Sequence, residues 1–89
     1  MGILSCAPVF SDSMVLQRNK NITVWGMAYD GMKVTVSLNG KTAEAVAKNH
    51  RWTAVLPAME AGGPYEMTVS SGNEKIVFTD VMLGEVWLA

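Results

Sequence analysis

The sequence has 89 residues, of which 49% are hydrophobic and 17% charged, with a formal net charge of −1. That length allows one domain without a second core, and the apolar share lies far from the polar, highly charged composition of disordered chains. The charges are scattered singly, which leaves no electrostatic footprint for nucleic acid or an anionic membrane surface, and the single cysteine, Cys6, excludes an internal disulfide and a cysteine-based zinc site.

The chain opens on Met-Gly-Ile-Leu-Ser-Cys-Ala-Pro, which lacks the basic start and full apolar core of a signal peptide. The apolar stretch before Cys6 is also too short for a lipoprotein processing site. No apolar run reaches the roughly 18 residues that a membrane span needs, so the sequence reads as soluble. Export of a parent protein to the periplasm or the exterior stays open, and the compartment is left unassigned.

Runs rich in Val, Ile, Thr and aromatics then recur, each bounded by Gly, Asn, Asp or Pro, which is the rhythm of a sandwich or barrel. In residues 22–28, Ile22, Val24, Gly26 and Ala28 share one face while Thr23, Trp25 and Met27 share the other. Gly26 in such a strand marks a bulge or a close backbone approach. Tyr29-Asp30-Gly31 turns the chain into residues 33–38, the clearest strand, with Val34, Val36 and Leu38 inward and Lys33, Thr35 and Ser37 outward. Asn39-Gly40 is the strongest short-range hairpin signal, because both residues tolerate the positive φ of a type I′ turn, and residues 42–47 return from it. Lys48-Asn49-His50 turns into residues 51–56, where Trp52 is expected inside and Pro57 stops the strand. Residues 60–64 read as a loop. Residues 65–70 follow, with Tyr65, Met67 and Val69 on a second apolar face, and after Ser71-Gly72-Asn73 comes a further strand at 74–79.

These elements predict an all-β fold: an immunoglobulin-like antiparallel β-sandwich of about seven to eight strands, with a jelly-roll order as the alternative because both show short alternating strands. The tail differs. Residues 81–89 end in the unbroken apolar run Val86-Trp87-Leu88-Ala89, the pattern of a strand covered on both faces. The expected division is therefore a sandwich over 1–80, followed over 81–89 by a connector and the start of another domain. An orphaned strand at this end would be disordered or would pair with a second molecule, giving a homo-oligomer.

The chemistry is sparse. His50 is the sole histidine, and its neighbours Lys48, Asn49 and Arg51 place it in an exposed turn, a solvated residue rather than a general base. No Gly-x-Ser-x-Gly elbow, phosphate loop or His-Glu-x-x-His is present, and nothing in the pattern makes two carboxylates converge. Trp25, Trp52, Trp87, Tyr29 and Tyr65 are natural filling for a sandwich core or a domain interface. The rival reading makes them a stacking platform for sugars, and exposure of Trp25, Tyr29 and Trp87 in one groove would favour it. The methionines, among them Met14, Met27, Met32, Met59, Met67 and Met82, read as adaptable packing residues. The residues imply no cofactor, metal ligand or catalytic residue.

Several phrases are more specific. Pro8-Val9-Phe10-Ser11-Asp12-Ser13-Met14-Val15-Leu16-Gln17-Arg18, Val24-Trp25-Gly26, Ala61-Gly62-Gly63-Pro64-Tyr65-Glu66-Met67-Thr68-Val69 and Asp80-Val81-Met82-Leu83-Gly84-Glu85-Val86-Trp87-Leu88 resemble the sialate O-acetylesterase family in order and spacing, over nearly the whole chain. In that family the last phrase leads through a small residue into Ser-Gly-Gln-Ser-Asn-Met, whose second serine is the nucleophile of an SGNH-type hydrolase domain. The sequence here stops at Ala89, so no family site residue has a counterpart to carry over. The resemblance implies an N-terminal accessory domain, inactive alone, of a serine hydrolase that removes O-acetyl groups from sialic acids or related sugars. Its implied partner is the catalytic domain of the parent chain, with an acetylated glycan as the alternative.

Overall fold

The computed structural model describes residues 4–72 and 74–85. They contain no helix and form the strands β1 (Ser5–Cys6), β2 (Val15–Gln17), β3 (Ile22–Met27), β4 (Lys33–Leu38), β5 (Lys41–Val46), β6 (Arg51–Leu56), β7 (Gly62–Ser71) and β8 (Glu74–Gly84). Two sheets result, a three-stranded one ordered β1-β3-β6 and a five-stranded one ordered β2-β8-β7-β4-β5. This is the strand order of an immunoglobulin-like sandwich, in which the opening run of chain is shared between the two sheets.

Alternation builds the core. In β4 the inward Val34, Val36 and Leu38 are buried, and in β3 Ile22 and Val24 are buried while Thr23, Trp25 and Met27 point out. Asn39 and Gly40 have φ of 49° and 76° and close the β4–β5 hairpin with Leu38 opposite Lys41, as a type I′ turn requires. Between the sheets Trp52, Leu56, Met67, Val69 and Val81 are fully buried or nearly so. Tyr65 is only partly buried, because it lies at the irregular end of β7 where the pairing with β8 shifts register.

Gly26 is a close approach rather than a bulge. It pairs with Cys6, and a Cβ there would collide with the Ser5 backbone and lie 2.8 Å from the Cα of Cys6. Only a bare Cα lets β1 lie against β3 at this point.

The structure adds three features to the expected arrangement. One strand pair is not antiparallel: β2 runs parallel to β8, with Val15 opposite Met82 and Gln17 opposite Gly84. The chain crosses from the first sheet to the second after β1. Gly62, Gly63 and Pro64, expected in a loop, begin β7, where Gly62 pairs with Leu83. β8 does not end near residue 79 but continues to Gly84. Asp80 has φ of 57°, and between the Tyr65–Val81 and Met67–Phe78 pairs β8 spends one more residue than β7. That bulge reverses the parity: Ile76 and Phe78 turn inward before it, Val81 and Leu83 after it. The apolar run 86–89, expected to be covered on both faces, lies outside the described residues.

Candidate functional site

His50 and Asn49 occupy a two-residue turn with φ of 64° and 55°, closed by hydrogen bonds between the backbones of Lys48 and Arg51 at 2.7 and 3.1 Å. The Asp30 carboxylate accepts the backbone N–H of His50 at 2.6 Å, so it braces the turn. The imidazole is exposed and meets the Tyr29 ring edge-on, with centroids 6.5 Å apart. Among the described residues no group of three or more His, Cys, Asp and Glu is placed to hold a metal ion. The Cys6 thiol is pushed up to about 11 by burial, which suppresses the thiolate that nucleophilic chemistry needs.

The aromatic residues divide. Trp52 is buried, and its indole N–H donates to the Ser5 carbonyl at 3.2 Å. Trp25 is 43% exposed and Tyr29 57% exposed, on the outward side of the β3 run, with Met27 between them at 55%. Phe10 meets the Trp25 ring edge-on at 4.9 Å and 76°, fixing the indole upright on the sheet. Trp87 lies outside the described residues. Shallow grooves of about 470 and 430 Å³ flank Trp25, one towards Cys6, Met27 and Arg51, the other towards Val15, Gln17, Lys20 and Thr23. Neither lining includes a carboxylate.

Polar braces tie the opening segment to β8. In the first, the Asp12 carboxylate accepts the Thr79 backbone N–H at 2.8 Å, the Ser13 N–H donates to the Thr79 carbonyl at 2.9 Å, and the Ser13 hydroxyl donates to Asp80 at 3.0 Å. This brace holds the β8 bulge, which gives Phe-Ser-Asp-x-Met a structural task.

The second brace joins the ends of the parallel pair. Arg18 donates its backbone N–H to the Gly84 carbonyl at 2.9 Å and its Nε to Glu85 at 2.6 Å, and the Gln17 amide reaches the other Glu85 oxygen at 3.4 Å. The Arg18 hydrogen bond, followed by that of Gln17, holds the Glu85 carboxyl below the usual carboxylate range. Residue-by-residue reading missed this contact, because 67 positions separate Arg18 from Glu85. The signal that could have found it is the specificity of the two phrases that carry these residues, Leu-Gln-Arg and Gly-Glu-Val.

No protein-family model matches the chain. Sialate O-acetylesterases from Homo sapiens and Pongo abelii are each 35% identical to it over 94 aligned positions, covering 92% of this chain and 18% of theirs. The crystal structure of a carbohydrate acetylesterase from Xanthomonas citri superposes with a TM-score of 0.90 at 34% identity, covering 93% of this chain and 19% of that one. The chain thus spans under a fifth of the length of the relatives it matches.

Proposed function

We propose that this chain, which belongs to the sialate O-acetylesterase family, is a non-catalytic sandwich domain that scaffolds the catalytic part of a longer carbohydrate O-acetylesterase. The observation that carries the reading is the match itself: nearly all of this chain corresponds to a small share of proteins named for deacetylation. The placement of His50 supports it. Its backbone, not its ring, is what Asp30 engages, the ring meets Tyr29 edge-on, and among the described residues no nucleophile–base–orienter chain runs through it. In the parent, an SGNH-type serine nucleophile would attack the acetyl ester of a sialic acid or related sugar. The sandwich would contribute rigidity and position.

A second reading, a carbohydrate-binding module, draws on the outward Trp25 and Tyr29. Aromatic faces stack on the apolar face of a pyranose, and both grooves beside Trp25 are free of carboxylates. Met27 separates the two rings along the strand, and Phe10 engages one edge of Trp25, so the two aromatics do not make one continuous platform.

Acetyl release from an O-acetylated sialoside and from a simple acetyl ester, measured on the 89-residue protein and on a parent of the relatives' length, tests the proposal. Activity confined to the longer protein is expected. Activity in the short one would overturn the reading and make His50 or a carboxylate catalytic.

A further inference from the structure

Three observations converge on one end of the sandwich. β1 pairs only with Gly26 and Met27, and Ala7 extends the contact to the Trp25 carbonyl at 3.0 Å. Among the described residues, residues 22–24 of β3 therefore have β6 on one side and no paired strand on the other. This uncovered half-strand borders the groove of about 430 Å³ that reaches from Trp25 to β2, walled by Phe10, Val15 and Leu16. An open strand edge beside an exposed Trp is a surface that solvent-facing sheets ordinarily avoid, and Trp is the residue type most enriched at binding hot spots.

The far end of the same groove is Gln17, which pairs with Gly84 and reaches Glu85. Arg18 clamps Glu85 there through its backbone bond to Gly84 and its guanidinium. The brace fixes the end of β8, and through Gln17 that end adjoins the groove. The two phrases most specific to the family thus meet at this junction.

We infer that the groove between β2 and the uncovered half of β3, with Trp25 as its wall, is the seat of the polypeptide that follows Ala89 in the parent enzyme. Arg18 is a positioning residue that delivers this polypeptide to the groove. The inference rests on the reading of the chain as one domain of a longer esterase and names the face through which it would scaffold. Proximity favours this occupant over a free one, because a segment tethered at the groove's rim binds at an effective concentration that a separate molecule does not reach.

Hydroxyl-radical oxidation of Trp25 and amide exchange at 22–24 are compared between the 89-residue protein and the parent-length enzyme. The longer protein should oxidise Trp25 more slowly and exchange those amides on the order of tenfold more slowly. Arg18→Ala in the parent should partly restore both rates, whereas Thr68→Ala, on the outward side of the other sheet, should leave them unchanged. Equal rates in the two wild-type proteins would overturn the inference. So would protection in the short protein that appears with its own concentration, which would make a second copy the occupant, or protection there by an O-acetylated sialoside, which would make the groove a sugar site. Acetyl release from the same samples separates the two levels. Parent-only activity with an unprotected Trp25 removes the docking face and leaves the scaffold reading; activity in the short protein removes the scaffold reading itself.

Discussion

The outward faces of the two sheets obey the same alternation, but the middle strands of the larger sheet are filled differently from those of the smaller, with Val15, Val46, Val77 and Met82 exposed only on the flanking β2, β5 and β8. On the five-stranded sheet, β4 and β7 present Lys33, Thr35 and Ser37 beside Glu66, Thr68 and Ser70, and Lys33 pairs with Glu44 of β5 at 3.3 Å. On the three-stranded sheet, β3 and β6 present Trp25 and Met27 beside Thr53 and Val55. The first composition suits water. The second leaves large apolar side chains outside, and it borders the end of β8. Alternation alone says which residues face out; their chemistry says how well that face suits water.

The contrast can be broken most severely from inside the smaller sheet. Trp52 fills the core beneath it, and Trp52→Ala should cost about 3–5 kcal/mol, a large part of the roughly 5–15 kcal/mol that holds a domain of this kind together. Urea unfolding measures this, and a loss below about 1 kcal/mol would show that the indole is not the keystone of that layer.

A smaller effect should come from Gly26→Ala. The new methyl meets the Ser5 backbone, which cannot move aside as a side-chain tip would, so a cost of about 1–3 kcal/mol is expected. The damage should be local. Amide exchange should accelerate at Ser5 and Cys6, and the Trp52 indole should lose its carbonyl partner, while β4 and β7 in the larger sheet stay protected. Uniform acceleration across both sheets would show that the two layers do not differ in this respect.

The smallest effect belongs to the junction. Because Arg18 and Gln17 lower the folded-state pKa of Glu85, its contribution is present above the unfolded carboxylate value and is lost as pH falls through the lowered folded value. A carbon-detected NMR titration should find Glu85 ionising below 4.5, and Arg18→Ala should return it towards 4.5 with little change in unfolding midpoint. An unchanged titration in the variant would mean that Arg18 does not hold the carboxylate in solution.

Much of the interior was legible before any coordinates. Val34, Val36, Leu38, Met67 and Val69 are buried as their alternation predicts, Trp52 lies inside, and Asn39-Gly40 turns as its φ tolerance requires. Tyr65 is more exposed than its parity suggested, because register irregularity loosens that end of β7. The functional surface was only half legible. Trp25 could be placed on the outward parity of its strand, but whether outward meant solvent, groove or the other sheet depended on what lay across from it.

Adjacent residues sufficed to show which side chains share a face, where the chain must turn and which family the phrases resemble. Steric preferences and period-two alternation act within a strand or a turn, so they can be read without knowing the partner. The parallel union of β2 with β8, the bulge at Asp80 that turns Val81 and Leu83 into the core, and the meeting of Arg18 with Glu85 emerged from the fold alone. Each joins residues far apart along the chain, and such contacts depend on how the two sheets close on one another rather than on any local preference.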